Sequence, residues 1–236
     1  MNKKTIAIFA VCMVLVAALS VFTTLALLTS KSDTVTNVFT SGNVQIVLEE
    51  TKIDPTDGVT ATEEKISNGI NNYTLYPGQD YTKDPTVTVK PSEDAYVGMI
   101  VEITGVEGLV AQFSGNGDVA NFLQNVLNIN LSASWDDITT DLVGGNYVYS
   151  FYYKNKVAKS ATDTVLDPLF SKFELDDSLT ATQLEALKNL RINITAYAVQ
   201  AQTFDNAQKA LYSAFGAEAA DGTTLKAAFP DVVVNP

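Results

Sequence analysis

From Ala95 to Thr104 apolar residues alternate, so that Val97, Met99, Val101 and Ile103 share one face of an extended strand. Thr86-Val87-Thr88-Val89-Lys90 repeats the pattern just upstream. A period of two fits a pleated strand and not a helix. The intervening Pro91-Ser92-Glu93-Asp94 is turn chemistry, so the two segments read as a hairpin. Apolar strand faces of this length need a second layer to cover them, which constrains the chain to a layered β fold.

The remaining segments extend that plan. Residues 35–48 read as one or two strands, with Val44, Ile46 and Leu48 in phase and a kink or bulge at Gly42-Asn43. Residues 51–71 are polar, carry the turn signal Asp54-Pro55-Thr56-Asp57-Gly58, and read as a loop. Tyr73-Thr74-Leu75-Tyr76 reads as a short strand stopped by Pro77-Gly78. Residues 105–145 read as an insertion, in which Val119, Phe122, Leu123, Val126 and Leu127 recur at helical spacing over residues 118–128. Tyr147, Tyr149, Phe151 and Tyr153 mark another strand, as cross-strand core packing or as an aromatic binding face.

Two helices are announced by their first turns. Thr180 and Gln183 form a capping box, and Leu179 can staple to Leu184, so a helix runs from there to about Asn189. Asp205 with Gln208 opens a last helix, whose Ala207, Leu211, Ala214 and Phe215 face the core and which Gly216 ends. Between them, residues 191–201 read as a strand with Ile192, Ile194, Ala196 and Ala198 on one side. Residues 217–236 read as a tail. Strands joined by turns, with short helices only in the connections, predict a mainly β fold: an antiparallel, jelly-roll-like β-sandwich over residues 27–216.

The N-terminus follows different rules. Lys3 and Lys4 precede an apolar stretch over residues 6–22, which ends in Thr23-Thr24-Leu25-Ala26. A basic start, an apolar run and a small-x-small ending make residues 1–26 a secretory signal helix, cut between Ala26 and Leu27. The same stretch is nearly long enough to span a bilayer uncut, so any membrane association runs through the uncleaved leader. Cys12, the one cysteine, lies inside the run, behind a residue too large for a lipidation site, so the exported part has no disulfide. With 27 acids against 15 bases the net charge is −12, and a chain of that sign repels phosphate backbones. Nucleic-acid binding is excluded on that ground.

Catalytic chemistry finds little footing. Histidine is absent, which removes Ser-His-acid and Cys-His nucleophile systems and every histidine zinc motif. The acid pairs Glu49-Glu50, Glu63-Glu64, Glu93-Asp94, Asp136-Asp137 and Asp176-Asp177 are adjacent, so on a strand their side chains point to opposite faces. None has the spacing of a calcium loop. Asn72, Asn130 and Asn193 match a short glycosylation pattern that arises easily by chance. No catalytic residue, metal site or cofactor is expected.

Several segments in order carry a resemblance. Thr24-Leu25-Ala26, followed by residues 27–44, is similar to the start of the TasA/camelysin (CalY) family. Tyr76-Pro77-Gly78-Gln79-Asp80-Tyr81-Thr82-Lys83-Asp84-Pro85 resembles the family's PG-x-x-x-x-K turn entering a strand. Ala196-Tyr197-Ala198-Val199-Gln200-Ala201, leading into Phe204-Asp205, resembles a later strand of its members. These patches span about a third of the chain.

The resemblance implies a jelly-roll domain, cleavage by a SipW-type signal peptidase, and residence at a bacterial cell surface or in biofilm matrix as a self-associating fibre subunit, alone or with accessory matrix proteins. It also brings a metallopeptidase label that suits a histidine-free chain badly. An open sandwich can accept a neighbour's strand through its unpaired edge groups. Residues 27–39 are the expected donor, with Leu27, Leu28, Val35, Val38 and Phe39 as inserted contacts. Two alternatives stay open: residues 35–39 as a continuation of the chain's own first strand, and the domain as an adhesin or binding module.

Overall fold

The computed structural model describes residues 38–216, apart from 41–43, 68, 92 and 203. The leader, the cut between Ala26 and Leu27, the expected contacts Leu27, Leu28 and Val35, and the tail at 217–236 lie outside the described residues. Among the described residues the fold is mainly β, and every strand pairing is antiparallel.

One sheet is built on β2 (Val44–Ile53). β1 (Val38–Thr40) and β5 (Thr86–Pro91) lie on its two flanks, β9 (Thr164–Val165) continues beyond β5, and β3 (Ala61–Ile66) pairs with the far end of β2. The other main sheet has the order β11 (Arg191–Gln200), β6 (Ala95–Thr104), β8 (Asn146–Tyr153) and β7 (Trp135–Val143). A two-stranded ribbon of β4 (Asp80–Thr82) and β10 (Lys172–Glu174) sits apart from both.

The alternating residues explain the layering. Val44, Ile46 and Leu48 of β2 share one core with Val87 and Val89 of β5, Val97, Met99, Val101 and Ile103 of β6, and Tyr147, Tyr149 and Phe151 of β8. Residues of this kind contribute about 1.5–3 kcal/mol each when fully buried. The expected hairpin is therefore corrected. β5 pairs with β2 and β9, β6 pairs with β11 and β8, and the chain crosses between sheets at residues 91–94. The in-phase apolar faces of β5 and β6 meet across the core instead of lying side by side. The crossing is tied down by Asp94, which takes the Lys159 N–H at 2.9 Å and the Lys156 ammonium at 2.6 Å.

The centre of the second sheet, at β6 and β8, is buried on both faces. Tyr96, Ile100, Val148, Tyr197 and Val199 form a separate cluster under Ala207, Ala210 and Leu211 of a C-terminal helix (Ala207–Leu211), which continues as a π-helical turn (Tyr212–Gly216). The cap of that helix is Asn206, whose side chain accepts the Lys209 N–H at 2.9 Å, one residue later than the expected Asp205. At the Thr180 helix (Ala181–Leu187) the capping box forms as expected. Gly98 lies where the C-terminal helix presses closest: an added Cβ would meet Leu211 Cδ1 at 2.8 Å.

Residues 105–145 join the main core. Leu109, Phe122, Leu123, Val126 and Leu127 all belong to it, and the helical spacing closes as a π-helical turn (Phe122–Val126). Tyr147 and Tyr149 of β8 hold this region by donating to the carbonyls of Gly117 and Val119, each at 2.6 Å. The aromatic stripe is thus core packing. Trp135–Val143, hidden in the expected insertion, is the outer strand β7, with a register shift between Asp137 and Thr139. Ala61–Ile66, expected as loop, forms β3, whereas residues 73–76 form no strand.

Candidate functional site: the open seam between the sheets

The PG-x-x-x-x-K turn is the place to begin, because its residues alternate. From Tyr81 to Val89, every second residue is buried: Tyr81, Lys83, Pro85, Val87 and Val89. Gly78 turns the chain with φ 69°, a left-handed conformation that suits glycine, and its N–H donates to Leu175 O at 2.8 Å. β4 then pairs Tyr81 with Phe173, and the two rings stack at 4.7 Å. The Tyr73 ring packs edge-on against both. Tyr81 Oη donates to Thr74 O and accepts the Tyr76 N–H, so a buried phenol has its partners.

Two residues on, the same face delivers Lys83 into the protein, where its ammonium meets both carboxylate oxygens of Glu50. Burial, and then the Glu50 charge, push ionisation of the neighbouring Tyr73 phenol far above its usual range. It stays a neutral donor, to Thr82 O at 3.0 Å. On the next residue, Asp84 accepts the Thr51 N–H at 2.6 Å, the Thr51 hydroxyl at 2.8 Å and the Lys65 ammonium at 2.6 Å. Burial alone would raise its pKa, but these partners outweigh it and hold the carboxyl below its usual range.

Glu50, Tyr73, Lys83 and Phe173 help to wall a groove of about 1180 Å³. One side is β2 at Leu48, Glu49 and Glu50, and the opposite side is β11 at Arg191, Ile192, Asn193 and Ile194. Leu184 and Leu187 close it from the Thr180 helix, and Phe173 and Leu175 from the β10 side. Ile70 stands at its edge, 74% exposed. The lining is more apolar than polar, and of its charged groups Glu50 and Lys83 neutralise each other.

The groove is half of a longer seam. β11 ends its sheet and approaches β2 across the open side, and β1 lies in this seam against both. β1 is antiparallel to β2, with Thr40 opposite Val44 and Val38 opposite Ile46, so its N-terminal end faces Leu48 and the groove. β3 takes the same flank of β2 farther along. Thr62 Oγ1 donates to Lys52 O, on the side away from Asp84 and β5, and Glu50 pairs with Ile66. Between β1 and β3 only a short stretch of that margin around Leu48 lacks a strand partner among the described residues.

Of the expected contacts, Val38 and Phe39 fall in β1, opposite Ile46 and Gln45 of their own chain. Sequence reasoning missed Glu50, Lys83 and Arg191. The signal for Lys83 was its parity with Tyr81 and Val87. Among the described residues no three His, Cys, Asp or Glu side chains converge to hold a metal ion, and no helix is long and apolar enough to cross a membrane. In comparisons with known proteins, no family model, no curated protein and no solved structure matches the chain.

Proposed function

We propose that the chain is an exported structural subunit of cell-surface or biofilm-matrix fibres, not an enzyme: a jelly-roll domain freed by a SipW-type signal peptidase between Ala26 and Leu27 and completed by the N-terminal strand of a neighbouring copy. The observation that supports this reading is the seam. Two strand margins face each other over an apolar groove, and β1 fills one half with its N-terminal end turned toward the other. A strand laid there gains main-chain hydrogen bonds from the margins and apolar contact from the lining. When a neighbour supplies it, Val38 and Phe39 of the donor take the places that β1 holds within one chain, and residues 27–37 fill the groove. Such a head-to-tail contact does not close on itself and yields filaments.

Negative-stain microscopy and sedimentation test this directly. The chain beginning at Leu27 should form filaments as its concentration rises, and the chain beginning at Thr40 should stay monomeric. Filaments from the shorter chain, or a longer chain that is monomeric at every concentration, would overturn the proposal. A monomer that holds a glycan or host protein would point to the adhesin instead.

A further inference from the structure

We propose that Arg191 is the anchor for Asp33 of the segment docked in the seam, and that this ion pair sets the segment's register; the inference rests on the strand-donation reading above. In a docked segment that keeps the register of Val38 opposite Ile46, residue 35 would come opposite Glu49 and residue 33 opposite Thr51. β3 already holds that flank from Glu50 onward, so an extended segment must leave β2 there. The facing wall is the start of β11, where Arg191 stands exposed at the groove.

Charge singles out the same pair. Lys83 neutralises Glu50, and Lys188 lies 3.2 Å from Glu185. Arg191, the only arginine in the sequence, has no acid partner among the described residues. Within residues 27–37 the single acid is Asp33. A guanidinium takes a carboxylate through two parallel hydrogen bonds, a geometry that fixes position as well as charge. A one-residue slip would break the pair and exchange the two faces of the segment.

The chain beginning at Leu27 has no cysteine, so introduced thiols can be read without background. Asp33→Cys with Arg191→Cys should be joined by a short bis-maleimide, giving a ladder of covalent multimers on a denaturing gel. Asp33→Cys with Lys90→Cys, on the exposed face of β5, should not be joined. A link confined to monomers would uphold the pairing of residues 33 and 191 while overturning assembly between subunits. Absence of any link, with both thiols reacting singly, would overturn the inference whether or not filaments form. As a second readout, the link between Val35→Cys and Glu49→Cys should fall about tenfold on adding Arg191→Glu and recover with Asp33→Lys. An unchanged yield would remove the register-setting role from Arg191.

Discussion

Lys83 Nζ lies 2.8 Å from one Glu50 carboxylate oxygen and 2.9 Å from the other, and their side chains keep only 6% and 13% of their surface exposed. Neither charge is stable there alone. Glu50→Ala or Lys83→Ala should each cost about 3–5 kcal/mol, because an uncompensated charge is left buried. Glu50→Leu combined with Lys83→Met should cost far less than either. Urea unfolding of the four proteins checks this.

Gly98 should not tolerate a side chain. Gly98→Ala brings a Cβ to 2.8 Å from Leu211 Cδ1 and 3.2 Å from Phe151 O. The expected loss is about 1–3 kcal/mol from overpacking. Adding Leu211→Ala should make the alanine at 98 nearly neutral relative to Leu211→Ala alone, in a thermal double-mutant cycle.

Ser150 is fully buried on β8, and its hydroxyl finds no hydrogen-bond partner among the described residues. Removing an unsatisfied polar group relieves a desolvation cost of about 1–3 kcal/mol. Ser150→Ala should therefore match or exceed the parent in melting temperature, where most core substitutions lower it.

Asp84 makes stability depend on pH at the acid end. Its folded carboxyl titrates below the ordinary value near 3.8, so its contribution is complete above that value and is lost as pH falls through the lower folded one. Asp84→Asn should be less stable at pH 7 by about 1–3 kcal/mol. It should also lose less than the parent between pH 4 and lower values, in acid titrations followed by circular dichroism.

At the alkaline end the sign reverses. Burial raises the Tyr73 and Tyr149 phenols, so the fold loses stability as pH rises past the ordinary value near 10. Phenolate absorbance from these two should appear together with loss of the circular dichroism signal. Tyr149→Phe should move that transition upward while costing about 1 kcal/mol at pH 7, since Val119 O loses its donor.

Much of the layering was legible because it rests on local alternation. Val97 to Ile103, Tyr147 to Phe151 and Ile194 to Ala198 sit on the faces their parity demands, and the Thr180–Gln183 box caps its helix. What parity cannot state is which strands pair. The same alternation served a hairpin of β5 with β6 and a crossing between sheets equally well, and distant partners decided it. β3 and β7 were obscured because Ala61–Ile66 and Trp135–Val143 are too polar to stand out. The seam was the least legible feature, since it is made by residues as far apart as Leu48 and Ile194.

The far margin of the second sheet carries a further consequence. β7 interrupts its ladder after Asp137 and presents Asp136, Asp137 and Asp141 along the rim. A copy arriving sideways there would set carboxylates against carboxylates beside a broken register. If copies join through the seam as proposed, a margin of this kind on the other side would favour a thread over a mat.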